Sequence, residues 1–194
     1  RTKLERLERV FENARIIRNS EILKEYRSQL QSVIKSRKPV IRVEGYDISN
    51  IQGKHSVGSM VTFVHGQPDK NYYRKFNIKT VQGTNDTAML REIVERRLNH
   101  TEWPFPDLII VDGGKGQVNA VLKSLQERNI AIPVAGLVKD EKHFGMALIL
   151  PKRKTPIKLS KLSLPDRNLL LSIDGEAHRF AIGHYRHRHG RSLK

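Results

Sequence analysis

Four consecutive branched apolar residues, Leu108-Ile109-Ile110-Val111, run straight into Asp112-Gly113-Gly114-Lys115-Gly116, and this junction limits the folds open to the chain. A run that short has no solvent-facing side, so it reads as a parallel strand buried on both faces. The glycines break it sharply. From Gln117 to about Asn129 apolar residues then return at helical spacing. Strand, tight turn and helix are the unit of an open α/β sheet, whose ligands sit beyond the carboxyl ends of the strands. Asp112 stands at that edge, with glycines that let a phosphate approach and a helix start that favours anions.

The sequence before this junction has another texture. Val40–Ser49, Ser56–Val64 and Tyr72–Lys79 are rich in β-branched and aromatic residues and are separated by turn material, including Gly66-Gln67-Pro68-Asp69. They predict three successive antiparallel strands. Asn85 or Asp86 can cap a helix reaching to about His100, which Pro104 and Pro106 close off. After the junction, Val134–Val138 and Ala147–Leu150 read as two more buried strands, residues 151–163 as basic and irregular, and a last helix as starting near Leu164 or Pro165. The expected class is α/β: a mixed sheet of three antiparallel strands followed by parallel strands, flanked by helices. Residues 1–38, with no Gly or Pro and with apolar positions three and four apart, predict a helical extension; residues 39–194 predict the folded domain. The first residue is Arg1, as expected of a piece of a longer chain.

Charge narrows the partners. Lys and Arg total 36 against 20 Asp and Glu, a net charge of +16, which favours a polyanion because each neutralised phosphate releases counterions. No apolar run approaches the roughly 20 residues of a membrane span. There is no Cys, so disulfides, thiolate chemistry and Cys-ligated zinc are excluded, and a cytoplasmic location is expected.

The residues left to do chemistry are few. Asp47 ends the strand Glu44-Gly45-Tyr46-Asp47, where a carboxylate needs hydrogen bonds, an ion pair or a cation; a turn-capping role is its ordinary alternative. Asp112 combines an acid, glycines and a lysine, without the spacing of a Walker A or dinucleotide loop. His178, beside the apolar stripe Ala177, Phe180 and Ala181, is either structural or the neutral imidazole of a carboxylate-rich metal site. Asp86 is either a helix cap or a further acid. Lys115, Arg179, Lys152, Arg153, Lys154, Arg186, Arg188 and Arg191 are candidates for phosphate contacts that carry no sequence information.

Four blocks resemble the C-terminal endonuclease domain of the UvrC family of bacterial nucleotide excision repair. They are Gly45-Tyr46-Asp47-Ile48-Ser49, Tyr73-Arg74-Lys75-Phe76-Asn77-Ile78, Pro106-Asp107 through Gly116-Gln117, and Glu176-Ala177-His178-Arg179-Phe180-Ala181, in family order over residues 40–190. The resemblance implies an RNase H-like fold with an Asp47, Asp112 and His178 triad. Asp86 corresponds to another acidic position of the family. It also implies Mg²⁺ or Mn²⁺, damaged double-stranded DNA cut on the 5′ side of a lesion, and UvrB, with UvrA upstream, as partners. Phe11-Glu12-Asn13-Ala14 with Arg18 is similar to the UvrB-binding helical motif. The family's GIY-YIG module and helix-hairpin-helix region are not in this sequence. Departures are Tyr46 for a common Phe, Asn50 for a common His, and Ser172, Asp174 and Gly175 in place of an Arg-x-Arg-Asp run. Two other readings stay open: a catalytically silent RNase H-like DNA-binding module, and an α/β enzyme that seats a nucleotide phosphate on Gly113–Gly116.

Overall fold

The computed structural model describes residues 30–51, 55–81, 83–139 and 146–189. Most of the predicted helical extension, the short UvrB-like motif and Arg191 therefore lie outside the described residues. A short helix, α1 (Leu30–Val33), leads into the sheet. Its Leu30 is fully buried in the core, and Val33 and Ile34 pack against it.

Eight strands form one sheet: β1 (Arg42–Ile51), β2 (His55–Val64), β3 (Gln67–Pro68), β4 (Arg74–Asn77), β5 (Leu108–Asp112), β6 (Val134–Lys139), β7 (Met146–Ile149) and β8 (Ile157–Lys158). Their order across the sheet is β3-β2-β1-β5-β6-β7-β8, with β4 also on β2. The expected third strand, Tyr72–Lys79, is β4, while Gln67–Pro68 of the expected turn form an additional short strand, β3, on β2. Pro68 cannot extend that ladder, and Asp69 caps a 3-10 turn over Lys70–Tyr72 that leads into β4. β1, β5 and β6 are parallel neighbours. The expected run of parallel strands stops there, because β7 is antiparallel to β6. The link of residues 140–145 is shorter than the dozen or so residues a parallel crossover requires. The stretch expected to be irregular, 151–163, holds β8 and a 3-10 turn over Leu159–Lys161.

Three longer helices cover the sheet: α2 (Asp86–Leu98), α3 (Lys115–Gln126) and α4 (Leu164–His189). Strand alternation sends β1 and β5 residues to two cores. On one face Val43, Val61, Leu108 and Ile110 meet Leu170, Ile173 and Ala177 of α4. On the other Tyr46, Met60, Ile109 and Val111 meet Leu90, Ile93 and Val94 of α2 and Val118 and Val121 of α3. The last helix reaches His189, so Arg186 and Arg188, expected in a tail, belong to it. Among the described residues no helix is long and apolar enough to cross a membrane.

Two contacts fix where β1 sits. Asp107, just before β5, accepts from the backbone N–H groups of Ile41 and Arg42 at 2.9 and 2.8 Å. In mid-strand, Glu44 is fully buried and accepts from Arg97 Nε and Nη2 of α2 at 3.0 and 2.9 Å. The Tyr46 hydroxyl also donates to Glu44, at 2.7 Å, which gives this tyrosine a partner that a phenylalanine would not need. Arg97 further donates to the carbonyls of His100 and Pro104. A buried pair so fully bonded ties β1 to α2, and removing one partner strands the other charge. Arg97→Met is expected to lower stability in urea unfolding by about 3–5 kcal/mol, and adding Glu44→Leu to recover much of it. A loss no larger than that of a surface substitution would contradict this role.

Candidate active site

The parallel register of β1 and β5 pairs Tyr46 with Val111. The next residues, Asp47 and Asp112, therefore lie on neighbouring strands, both on the α4 face; Asp112 ends β5, whereas β1 runs on past Asp47 to Ile51, so Asp47 does not end its strand as the sequence suggested. Asp47 is only 5% exposed. Its carboxylate accepts from the Ser49 hydroxyl at 2.8 Å. Asp112 keeps an exposed surface at the sheet edge, and among the described residues it has no hydrogen bond or ion pair.

The turn after Asp112 requires its first glycine. Gly113 has φ +145°, and a Cβ there would meet the Gln117 side chain at 2.6 Å. Gln117 turns back to accept from the Gly114 N–H at 3.1 Å, which starts α3 beside the acids. Capping of α2 falls to Asn85, whose side chain accepts from the Ala88 N–H at 3.0 Å. Asp86 is the first helical residue instead. Its charge acts on Asp112, so the N-terminus of α2 reaches the same edge.

Helix α4 closes the site from the other face. Ser163 begins it, accepting from the Asp166 N–H at 3.2 Å and donating to its carboxylate at 2.9 Å. Ile173 fills the space above Gly45, where a Cβ would lie 2.2 Å from the Ile173 methyl. One turn on, the Ser59 hydroxyl donates to the Ala177 carbonyl at 2.9 Å. Held at these points, α4 puts His178 Nδ1 3.9 Å from Asp47 Oδ2, with the imidazole largely exposed.

The electrostatics are those of acids crowded without enough positive charge. Burial raises the Asp112 carboxyl above the usual carboxylate range, the charges of Asp174 and Asp47 raise it further, and His178 opposes them. Asp174 is raised too, by burial first and then by Asp47. This residue was not among the sequence candidates. Its signal was a spacing, four residues before His178, which places both on one face of a helix.

The basic candidates divide. Lys115 Nζ donates to the Lys154 carbonyl at 3.4 Å, which draws the exposed turn of Lys152, Arg153 and Lys154 to the start of α3. Arg179 is not turned to the acids. It forms a two-pronged pair with Glu176 at 2.6 Å and lines a groove with His65, Lys70 and Asn168 on the other flank of α4. Of Arg186 and Arg188 the structure describes only the helical backbone.

A buried carboxylate and an exposed one beside an imidazole are oxygen-rich donors suited to a hard divalent cation. Among the described residues no three His, Asp or Glu side chains are gathered closely enough to cage one. Mg²⁺ does not need a cage: it is commonly held by one or two carboxylates, waters and substrate phosphate. Asp47, which among the described residues has the Ser49 hydroxyl as donor and the His178 imidazole nearby, fits such an ion.

Comparison with known proteins then bears on the site. Residues 31–182 match the model of the UvrC RNAse H endonuclease domain. The UvrABC system protein C of Clostridioides difficile (strain 630) is 44% identical over 165 residues, covering 85% of this chain and 26% of that protein. Its namesake in Thermoanaerobacter pseudethanolicus is 38% identical over 216 aligned residues, covering 99% and 35%. The chain thus spans about a quarter to a third of these relatives' length. Human ENDOV aligns over 87% of this chain at 12% identity and TM-score 0.45, too distant to inform the site.

The raised acids set a pH dependence. A native carboxyl with a raised pKa holds its proton more tightly than the unfolded chain does. It therefore favours the fold at low pH, and that advantage is lost as pH climbs from the ordinary Asp value, about 3.9, through the raised native one. In EDTA, the melting temperature of the wild type minus that of Asp112→Asn is expected to fall across this window. A flat difference would mean that the acids do not repel one another.

Proposed function

The chain belongs to the UvrC RNase H endonuclease domain family, and from that premise we propose that it is a divalent-metal-dependent endonuclease domain of DNA excision repair, cutting a phosphodiester on the 5′ side of a lesion. The observation that carries the reading is the placement of Asp47 and Asp112 one residue beyond the Tyr46–Val111 pair of neighbouring parallel strands, with His178 Nδ1 3.9 Å from Asp47. Cleavage of a phosphodiester needs an activated water, neutralised charge on the phosphoryl oxygens and help for the leaving oxygen. Bound Mg²⁺ or Mn²⁺ supplies these through its charge and its acidified water.

The protein's own part follows from position. Asp47, within β1, and Asp112, at the end of β5, would hold the cation. His178 completes the ligands or orients the attacking water. Asp86 adds negative charge at the same edge. Lys115 and the start of α3 receive the phosphate next to the scissile one, and Lys152, Arg153 and Lys154 track the backbone beyond it. Arg186, Arg188 and Arg191 extend that track along the end of α4 and past it. Arg179, bound to Glu176, contacts DNA only if that pair opens. In this reading residues 39–194 are the catalytic unit and residues 1–38 an extension whose Leu30 is seated in the core. The relatives' name, UvrABC system protein C, supports UvrB, with UvrA upstream, as partners; the proposed substrate is damaged double-stranded DNA and the proposed location the cytoplasm.

One observation favours a silent DNA-binding module instead: no three ligands are already gathered among the described residues. Cleavage of a nicked or lesion-bearing duplex in Mn²⁺, Mg²⁺ or EDTA separates the two. Metal-dependent cutting is expected, and Asp47→Asn or Asp112→Asn should reduce it by more than about 100-fold, beyond what loss of a ligand's supporting partner costs, with DNA binding retained. Binding without cutting under any metal condition, with no metal response of the fold, supports the silent module. Changing Lys152, Arg153 and Lys154 together to Ala should weaken binding to every sequence alike. The slope of log affinity against log salt should fall by up to about 3, one phosphate contact per residue. An unchanged slope would place the DNA elsewhere.

A further inference from the structure

We propose that Lys75 is a positioning residue for His178: from β4 it holds the turn of α4 that carries the imidazole over Asp47. The inference rests on the catalytic role proposed for His178 and Asp47, and it adds a residue to which the sequence assigned no role. Asp47 on β1 is paired with Ser59 on β2, and Ser59 with Lys75 on β4. Directly paired residues share a face of the sheet, so the three form one row across it, and α4 lies over that row. Each member meets the same stretch of the helix. Asp47 Oδ2 lies 3.9 Å from His178 Nδ1, the Ser59 hydroxyl donates to the Ala177 carbonyl at 2.9 Å, and Lys75 Nζ donates to the Ala181 carbonyl at 3.5 Å.

The ring next to His178 is gripped as well. Lys75 Nζ lies 4.5 Å from the centroid of Phe180, a cation–π distance. Tyr73, two residues back and also packed toward α4, meets the same ring edge-on, with centroids 5.2 Å apart and planes at 67°. The backbone is thus held on both sides of His178, whose own imidazole is largely exposed. Helix propensity alone would not hold it: Gly175 and Gly183 flank this turn within α4, and glycine is a poor helix former. Among the described residues no carboxylate forms an ion pair with Lys75. A lysine that serves only solvent or phosphate keeps its ammonium in water. This one is folded against α4, where burial lowers its pKa and where a carbonyl and a ring face replace the lost water.

The test compares wild type, Lys75→Met, Lys75→Arg and Lys123→Met; Lys123, exposed on α3, controls for net charge. Three things are measured: kcat and KM for cleavage of a nicked duplex in Mn²⁺, the melting temperature, and the NMR signals of the His178 imidazole. Methionine keeps the apolar stem and removes the ammonium. Lys75→Met is expected to lower kcat about ten-fold, the scale on which loss of a supporting partner is felt. KM and melting temperature should stay near those of the wild type, and the His178 signals should shift. Lys75→Arg should recover most of the rate, since a guanidinium can donate to the same carbonyl and lie on the same ring. Lys123→Met should match the wild type. A raised KM and a salt slope reduced by about 1, with kcat unchanged, would make Lys75 a phosphate contact and overturn the proposal. Unmoved His178 signals in Lys75→Met would overturn it whatever the rate, and would leave the catalytic site standing. If the wild type cuts under no metal condition, the catalytic reading fails by itself, and the His178 signals still decide whether Lys75 holds the turn.

Discussion

Everything at the site depends on the parallel pairing of β1 with β5. With Tyr46 opposite Val111, two acids far apart in sequence become neighbours on one face. A slip of a single residue would turn one of them to the opposite face. The register is held at one end by Asp107 on the Ile41 and Arg42 amides and in the middle by the Glu44–Arg97 pair. Glu44 is a polar residue in the core of a strand, and its burial makes sense only through Arg97. It supplies a directional bond where apolar packing alone would tolerate a shift.

The second constraint is α4. Helix and sheet approach closely at Gly45 because that residue has no side chain to keep them apart, and Ile173 fills the gap. The closeness brings His178 within reach of Asp47. It also concentrates negative charge. Burial first, and then the neighbouring acids, raise the carboxyls of Asp112 and Asp174. An otherwise strongly basic chain thus keeps one small acidic focus on a surface suited to phosphate, the pattern expected where a cation must bridge protein and nucleic acid.

Much of this was legible in the residues. The Leu108–Val111 run ending in Asp112-Gly113-Gly114 gave the buried strand, the turn and the helix start, because apolarity and glycine are local signals. Asp47 and His178 were legible as candidates because each sits at the edge of an apolar pattern. Other features depend on long-range contacts. Nothing near Glu44 indicates that its partner is Arg97, 53 residues away. The extra short strand β3 before the expected third strand ends at Pro68 and Asp69, and the reversal of β7 rests on a link too short for a crossover. Asp174 required knowing which face of α4 meets the sheet. Arg179, beside His178 in sequence, points to the other flank because Glu176 holds it there.

The most direct test is where a divalent ion binds. A crystal of the protein soaked in Mn²⁺ and measured for anomalous scattering should show a peak bridging the carboxylates of Asp47 and Asp112, on the side facing α4. A peak held by other residues, or none at a concentration that supports DNA cleavage, would contradict the assignment of Asp47 and Asp112 as the catalytic centre.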